Sequence, residues 1–187
     1  YGPTQMGMNG FNCAVAIGAN CTFRRKALES AGGHGIGLAE DLVTSIRIHA
    51  AGWKSIYTPI VVSRGLVPED FGSFCKQQLK WARGVHEVLF SEVPRLFKKL
   101  SFWQKLSYIT IGTYYLEGLI SLIYLAIPFM FFWFGLLPAQ MFFIEFLYYG
   151  FPVLFFSSWI YFHVQRWLTH KSQERGFHWR GMVMKFA

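Results

Sequence analysis

The chain has 187 residues, of which 53% are hydrophobic, 19% aromatic and only 15% charged, and its net charge is +8. Average globular domains are about a quarter charged, so this composition excludes a disordered chain, a coiled coil and a disulfide scaffold. The sequence opens at Tyr1 with no initiator Met, and it reads as a piece of a longer membrane protein.

Residues 1–12 are rich in Gly and Met and show no clear period. Ala14-Val15-Ala16-Ile17 is a short apolar run that predicts a buried strand, and Gly18-Ala19-Asn20 predicts a tight turn. A helix is expected from about Arg25, with a stop at Gly32-Gly33. Glu40-Asp41 precedes Leu42, Val43, Ile46 and Ala50, which share one helical face, and Gly52 ends that helix. Lys54 to Val62 predicts a second strand, with Tyr57 and the β-branched Ile56, Ile60, Val61 and Val62. Strand, helix and strand joined by short links predict an α/β layer.

Pro68-Glu69-Asp70 opens the next helix, with a proline early and acids in the first turn. Phe71, Phe74, Gln78, Ala82, Val85 and Leu89 form one stripe, and Gln77, Lys80, Trp81, Gly84 and Val88 a second. The second stripe is polar where a core helix needs no polarity. It is expected to face a ligand, with Gly84 leaving room. Basic and aromatic residues then interleave from Pro94 to Trp103, as in an amphipathic helix at a membrane interface.

Residues 106–162 contain no Lys or Arg, and their only charges are Glu117 and Glu145. A bilayer core of about 30 Å needs roughly 20 apolar residues as helix. The stretch divides at Pro138-Ala139-Gln140 into two such spans, Leu106 to Leu137 and Met141 to Phe162, the first holding Pro128. Cations flank the pair on both outer sides, at Arg95, Lys98, Lys99 and Lys105 and again at Arg166, Lys171, Arg175, Arg180 and Lys185. Both flanks are therefore expected in the cytoplasm. An intramembrane carboxylate is a functional candidate, so Glu117 is expected to line a polar path or to be a packing residue. Glu145 is close enough to the outer turn to be interfacial. Cys13, Cys21 and Cys75 are odd in number, form no C-x-x-C pair and are expected as free thiols.

Singly, the polar residues have ordinary roles. Asp41 could offset a helix dipole or act as a general base. Arg24, Arg25 and Lys26 could hold an anion or simply be solvated. Trp81 could stack on a sugar ring or sit in a core, and Lys80 could neutralise a phosphate.

Their order is more specific. Ala39-Glu40-Asp41, then Gly52-Trp53-Lys54-Ser55, Gly65-Leu66-Val67-Pro68, and Gln77-x-x-Lys80-Trp81-Ala82-Arg83-Gly84 before apolar helices resemble the processive glycosyltransferases of family 2, the cellulose synthase and hyaluronan synthase group. Gly18-Ala19-Asn20 with Arg24-Arg25 and Ala27-Leu28 looks like that family's G-x-N…R-R-x-A-L segment. The resemblance implies that Asp41 is the general base on the acceptor hydroxyl and Glu40 its motif neighbour. It also implies that Gln77, Lys80 and Trp81 bind acceptor and donor diphosphate, with Gly18, Asn20, Arg24 and Arg25 beside them. Ala39 stands in place of the motif's Thr. Lys80 stands in place of Arg, so a bidentate phosphate contact becomes a point charge.

What the resemblance implies overall is a partial GT-A-like α/β nucleotide-sugar transferase domain over residues 1–90. An interfacial helix over 91–105, a transmembrane hairpin over 106–162 and a basic cytoplasmic segment over 163–187 would follow. The function implied is inverting transfer from a UDP-sugar to a growing β-linked polysaccharide, which is exported through the protein's own helices. The cofactor would be Mg²⁺ or Mn²⁺, held upstream of Tyr1 by a D-x-D motif that these residues do not include. The partners implied are UDP-sugar, polysaccharide, the lipid bilayer and accessory export subunits, with no nucleic acid, in the plasma (inner) membrane. A non-processive or mannan- or glucan-type transferase is the same-class alternative, and a transporter or channel subunit the different-class one.

Overall fold

The computed structural model describes residues 2–18, 20–60, 65–136 and 142–165. Ala19, the strand end at Val61-Val62, the turn at 138–140 and the basic residues from Arg166 onward lie outside these. The chain divides into two compact units, one covering Thr4–Ile120 and the other formed mainly by residues from Ser121 onward.

The first unit holds α1 (Gly2–Gly10, but for its first residues), α2 (Arg25–Ser30), α3 (Glu40–Ala50), α4 (Phe71–Phe90), α5 (Glu92–Leu96) and α6 (Phe102–Thr113). Short 3₁₀ turns follow α5 at Phe97–Lys99 and α6 at Tyr114–Leu116. Its core is Leu42, Val43 and Ile46 of α3 against Val88 of α4, Val93 of α5, Leu100 and Tyr108 of α6. Ile46 is fully buried. Each such aliphatic side chain contributes about 1.5–3 kcal/mol by leaving water.

The expected α/β layer is absent: among the described residues there is no strand. In the described parts of the two segments expected as strands, side chains rather than a neighbouring strand take up several amides. Gln5 Oε1 accepts from the Val15 amide at 3.2 Å, Asn12 Oδ1 from Ser55 at 3.1 Å and Asn9 Oδ1 from Tyr57 at 2.8 Å. Ser45 Oγ accepts from Ala16 at 2.9 Å. A buried amide must have a partner; here side chains of α1, α3 and the turn at Asn12 supply it, and no sheet forms among the described residues.

Four helix boundaries follow from local chemistry. Asp70 caps α4 by accepting from the Ser73 amide at 2.9 Å. Pro94 sits in the first turn of α5, where its missing N–H costs nothing. Ser101 and Gln104 form a reciprocal capping box that starts α6 afresh, with Gln104 accepting from the Ser101 amide at 3.0 Å. Residues 91–105 therefore form three short pieces rather than one continuous helix. Gly52, at φ +84, follows the end of α3.

α7 (Glu117–Phe134) begins in the first unit and continues into the second, which also holds α8 (Phe143–Val164). The helical run Phe102–Phe134 and α8 are 33 and 22 residues long and apolar enough to cross a membrane. At 1.5 Å per residue, 22 residues reach about 33 Å, enough for a hydrocarbon core of about 30 Å. Pro128 and Pro152 lie inside these helices. Glu145 accepts from the Phe142 amide at 2.9 Å and so closes the first turn of α8.

Candidate active site

Asp41 lies in the first turn of α3, after a start at Ala39 that no side chain caps. Its carboxylate is held at both oxygens. Oδ2 accepts from the Gly18 amide at 2.8 Å and Oδ1 from the Leu42 amide at 2.7 Å. Gly18 itself has a left-handed backbone, φ +58, which glycine adopts without strain. The G-x-N segment and the E-D pair are thus joined directly. Each carboxylate oxygen still has lone-pair capacity for an incoming proton.

Cys21 lies on the same turn, and its thiol donates to the Gly18 carbonyl at 3.3 Å. Burial, and then the charge of Asp41, push this thiol's pKa up. The described cysteines are free. Asn20 and Arg25 are exposed. Arg24 stands over the Trp53 ring, 5.9 Å from its centroid, and the Trp53 indole donates to Ser30 at 2.8 Å.

On α4, Trp81 is 39% exposed and Lys80 fully at the surface, while Gln77 is half-buried. One stripe assignment is corrected here. Gly84 and Val88, expected to face a ligand with Trp81, are buried. A Cβ at Gly84 would lie 2.9 Å from the Cβ and the backbone nitrogen of Ala39. The room left by Gly84 is therefore filled by the chain entering α3. Phe71, expected in the apolar stripe, is 68% exposed. Successive turns of one helical row carry Trp81, Gly84 and Val88, so Trp81 continues the buried row outward. The same approach brings the start of the Asp41 helix against the helix of Trp81.

A groove of about 910 Å³ runs beside this row, lined by Leu38, Leu79, Ala82, Arg83, His86 and Tyr115 among others. None of the sequence-derived site residues lines it. Tyr115 donates to Gln78 at 3.2 Å at its edge.

Sequence reasoning missed a buried network behind Asp41. Ser45 donates to the Asp41 carbonyl at 2.8 Å while accepting from Ala16. Thr44 does the same one residue earlier, donating to the Glu40 carbonyl at 2.6 Å and accepting from Gly35 at 2.8 Å. His49, 2% exposed, has Nδ1 at 2.7 Å from the Tyr108 hydroxyl and Nε2 at 2.8 Å from Ser55 Oγ. Ser55 gives its one proton to the Ala14 carbonyl at 2.5 Å. Its oxygen must therefore accept from Nε2–H, which leaves Nδ1 to accept from Tyr108. Burial lowers the His49 pKa to about 4. The available signal was spacing: Asp41, Ser45 and His49 recur every fourth residue beside the apolar face of α3.

Among the described residues, no group of three His, Cys, Asp or Glu side chains could hold a metal ion.

The family model for glycosyl transferase family group 2 matches residues 3–168. The chain belongs to that family. It is 31% identical over 136 residues to a UDP-forming cellulose synthase catalytic subunit of Komagataeibacter sucrofermentans, covering 72% of this chain and 18% of that protein. A UDP-forming cellulose synthase catalytic subunit of Pseudomonas fluorescens is 28% identical over the same shares. Cellulose synthase-like protein D2 of Oryza sativa subsp. japonica is 34% identical over 95 residues, 49% of this chain and 8% of that protein. The chain thus spans less than a fifth of the length of these relatives.

Proposed function

We propose that the chain is the acceptor side of a cellulose synthase-like glycosyltransferase. In this reading Asp41 takes the proton from the acceptor's terminal hydroxyl as that oxygen attacks C1 of a UDP-sugar, with inversion. The observation that carries it is the two-point fixing of the Asp41 carboxylate by the Gly18 and Leu42 amides. Such a base is oriented before substrate arrives, which is where much of a catalyst's advantage lies. The bacterial relatives are UDP-forming cellulose synthase catalytic subunits, which supports the donor class.

Trp81 offers the acceptor sugar an apolar ring face. Lys80 and Gln77 bind the leaving diphosphate, Lys80 as a point charge. Glu40 flanks the base, and Asn20, Arg24 and Arg25 line the approach from the Gly18 turn. Family membership favours an enzyme over a transporter or channel subunit. The two apolar helices cross the inner membrane, leave the catalytic part in the cytoplasm and form part of the path by which a β-linked polymer leaves. Residues 1–90 then form the catalytic portion, 91–105 the interface, 106–162 the hairpin and 163–187 a basic cytoplasmic segment.

The test is Asp41→Asn in the full-length protein, in membranes supplied with radiolabelled UDP-sugar. The carboxamide keeps the shape and one of the two amide contacts but accepts no proton. Transfer should fall by about 10²–10⁴-fold with donor binding near normal. Activity within tenfold of wild type would discard the base assignment.

A further inference from the structure

Asp41 and Ser45 of α3 hold segment 14–18 directly, and His49 holds its far end through Ser55. Asp41 takes the Gly18 amide at 2.8 Å, Ser45 takes the Ala16 amide at 2.9 Å, and His49 reaches the Ala14 carbonyl through Ser55. The segment and the helix run in opposite directions. Four residues of helix advance about 6.0 Å. Two residues of extended chain advance about 6.6 Å. The two repeats therefore match across the two direct contacts, and Ser55 bridges the third. The segment ends against the first turn of α3, where Gly18 meets Asp41.

We propose that Ser45 and His49 are positioning residues, which set the Gly18 amide against the Asp41 carboxylate so that the base points at the acceptor. This rests on the reading of Asp41 as the base. Neither residue touches substrate. Ser45 acts from both sides, since its hydroxyl grips the Asp41 carbonyl as well as the Ala16 amide. His49 anchors the far end and is itself fixed by Tyr108 of α6. No charged group is among its hydrogen-bond partners. Deleting the middle contact leaves the segment held at Ala14 and Val15 but loosens it next to Gly18, whose amide is the Asp41 carboxylate's donor from outside its own helix.

The experiment uses the full-length protein in lipid nanodiscs. Amide hydrogen exchange over residues 14–18 is measured together with sugar-transfer kinetics, and rates are corrected for the folded fraction. Ser45→Ala should speed exchange of the Ala16 and Gly18 amides about tenfold or more and lower kcat about tenfold, with donor KM within about twofold. Ser45→Thr, which keeps the hydroxyl, should restore most of both. A purely structural serine would cost folded protein but leave kcat of the folded fraction unchanged, and that result overturns the proposal. Exchange of the wild-type Ala16 amide at the open-chain rate overturns it too, and needs no variant to fold. Asp41→Asn separates the two readings. If it transfers sugar normally, the base assignment fails; if it is dead while Ser45→Ala is fully active, only the positioning role fails.

Discussion

The backbone nitrogen and the Cβ of Ala39 each lie 2.9 Å from the point where a side chain would begin at Gly84. That contact sets the entry to α3 against α4, one helical turn from Trp81. Gly84→Ala must push a Cβ into backbone that cannot yield by rotamer change. The expected cost is about 1–3 kcal/mol. Gly7, inside α1 with open space around it, is the control: Gly7→Ala should gain about 0.5–1 kcal/mol. Thermal unfolding in detergent reads both, and sugar transfer should fall with Gly84→Ala alone.

His49 gives the protein a worked pH dependence. Its pKa is about 4 when folded, against 6.5 ordinarily. Below pH 6.5 the unfolded chain binds a proton that the folded chain refuses. This contribution to stability is therefore full above pH 6.5 and is lost as pH falls towards 4. Between pH 7.5 and pH 5 the loss is about 2 kcal/mol. Urea titrations at the two pH values measure it, and His49→Gln should flatten the difference by a similar amount.

Tyr108→Phe tests the same network from α6. The phenyl ring keeps its packing, but Nδ1 of His49 loses its donor in a site closed to water. A buried acceptor left unmatched costs about 1–3 kcal/mol. A melting curve equal to wild type would show that the hydroxyl is not what ties α6 to α3.

Glu92 holds two arginines, Arg47 and Arg95, each at 2.5 Å. The Glu92 side chain is 10% exposed, that of Arg47 26% and that of Arg95 60%. Glu92→Gln should cost about 2–3 kcal/mol, because a mostly buried guanidinium is then left without its counter-charge. Arg95→Ala should cost less than about 1 kcal/mol, as exposed pairs do. Chemical denaturation of the two variants side by side checks the contrast.

In the proposed reading Trp81 serves the acceptor sugar and Lys80 the donor diphosphate. Trp81→Ala should reduce polymer yield about tenfold or more while donor hydrolysis changes less. Equal losses would argue against an acceptor platform. Lys80→Arg restores a forked donor to the diphosphate and should lower the donor KM severalfold.

Much of α2, α3 and α4 was legible in the sequence, because apolar periodicity and terminal signals such as Asp70 and Gly52 act locally. The core face of Leu42, Val43 and Ile46 was legible for the same reason. The strands were misread because a β-branched run specifies an extended chain but not its hydrogen-bond partner. Here Gln5, Asn9, Asn12 and Ser45 are the partners, and no hydropathy pattern reveals a hydroxyl or amide aimed at backbone. The row Trp81–Gly84–Val88 was read as one surface, although packing against Ala39 buries its inner two members. The start of α6 was missed although Ser101-Phe102-Trp103-Gln104 carries a capping-box spacing, since the basic and aromatic run around it suggested one continuous helix.

The matched repeats of α3 and segment 14–18 imply an uneven tolerance to change. Ile17, 37% exposed, has no part in the clasp and is open to varied side chains. One inserted residue between Asp41 and Ser45 would turn the helix by about 100° and detach every contact beyond it. One extra residue between Ala14 and Gly18 would swing the amides to the opposite side. Over evolutionary time this corner of the enzyme should drift freely in composition while its chain length stays frozen.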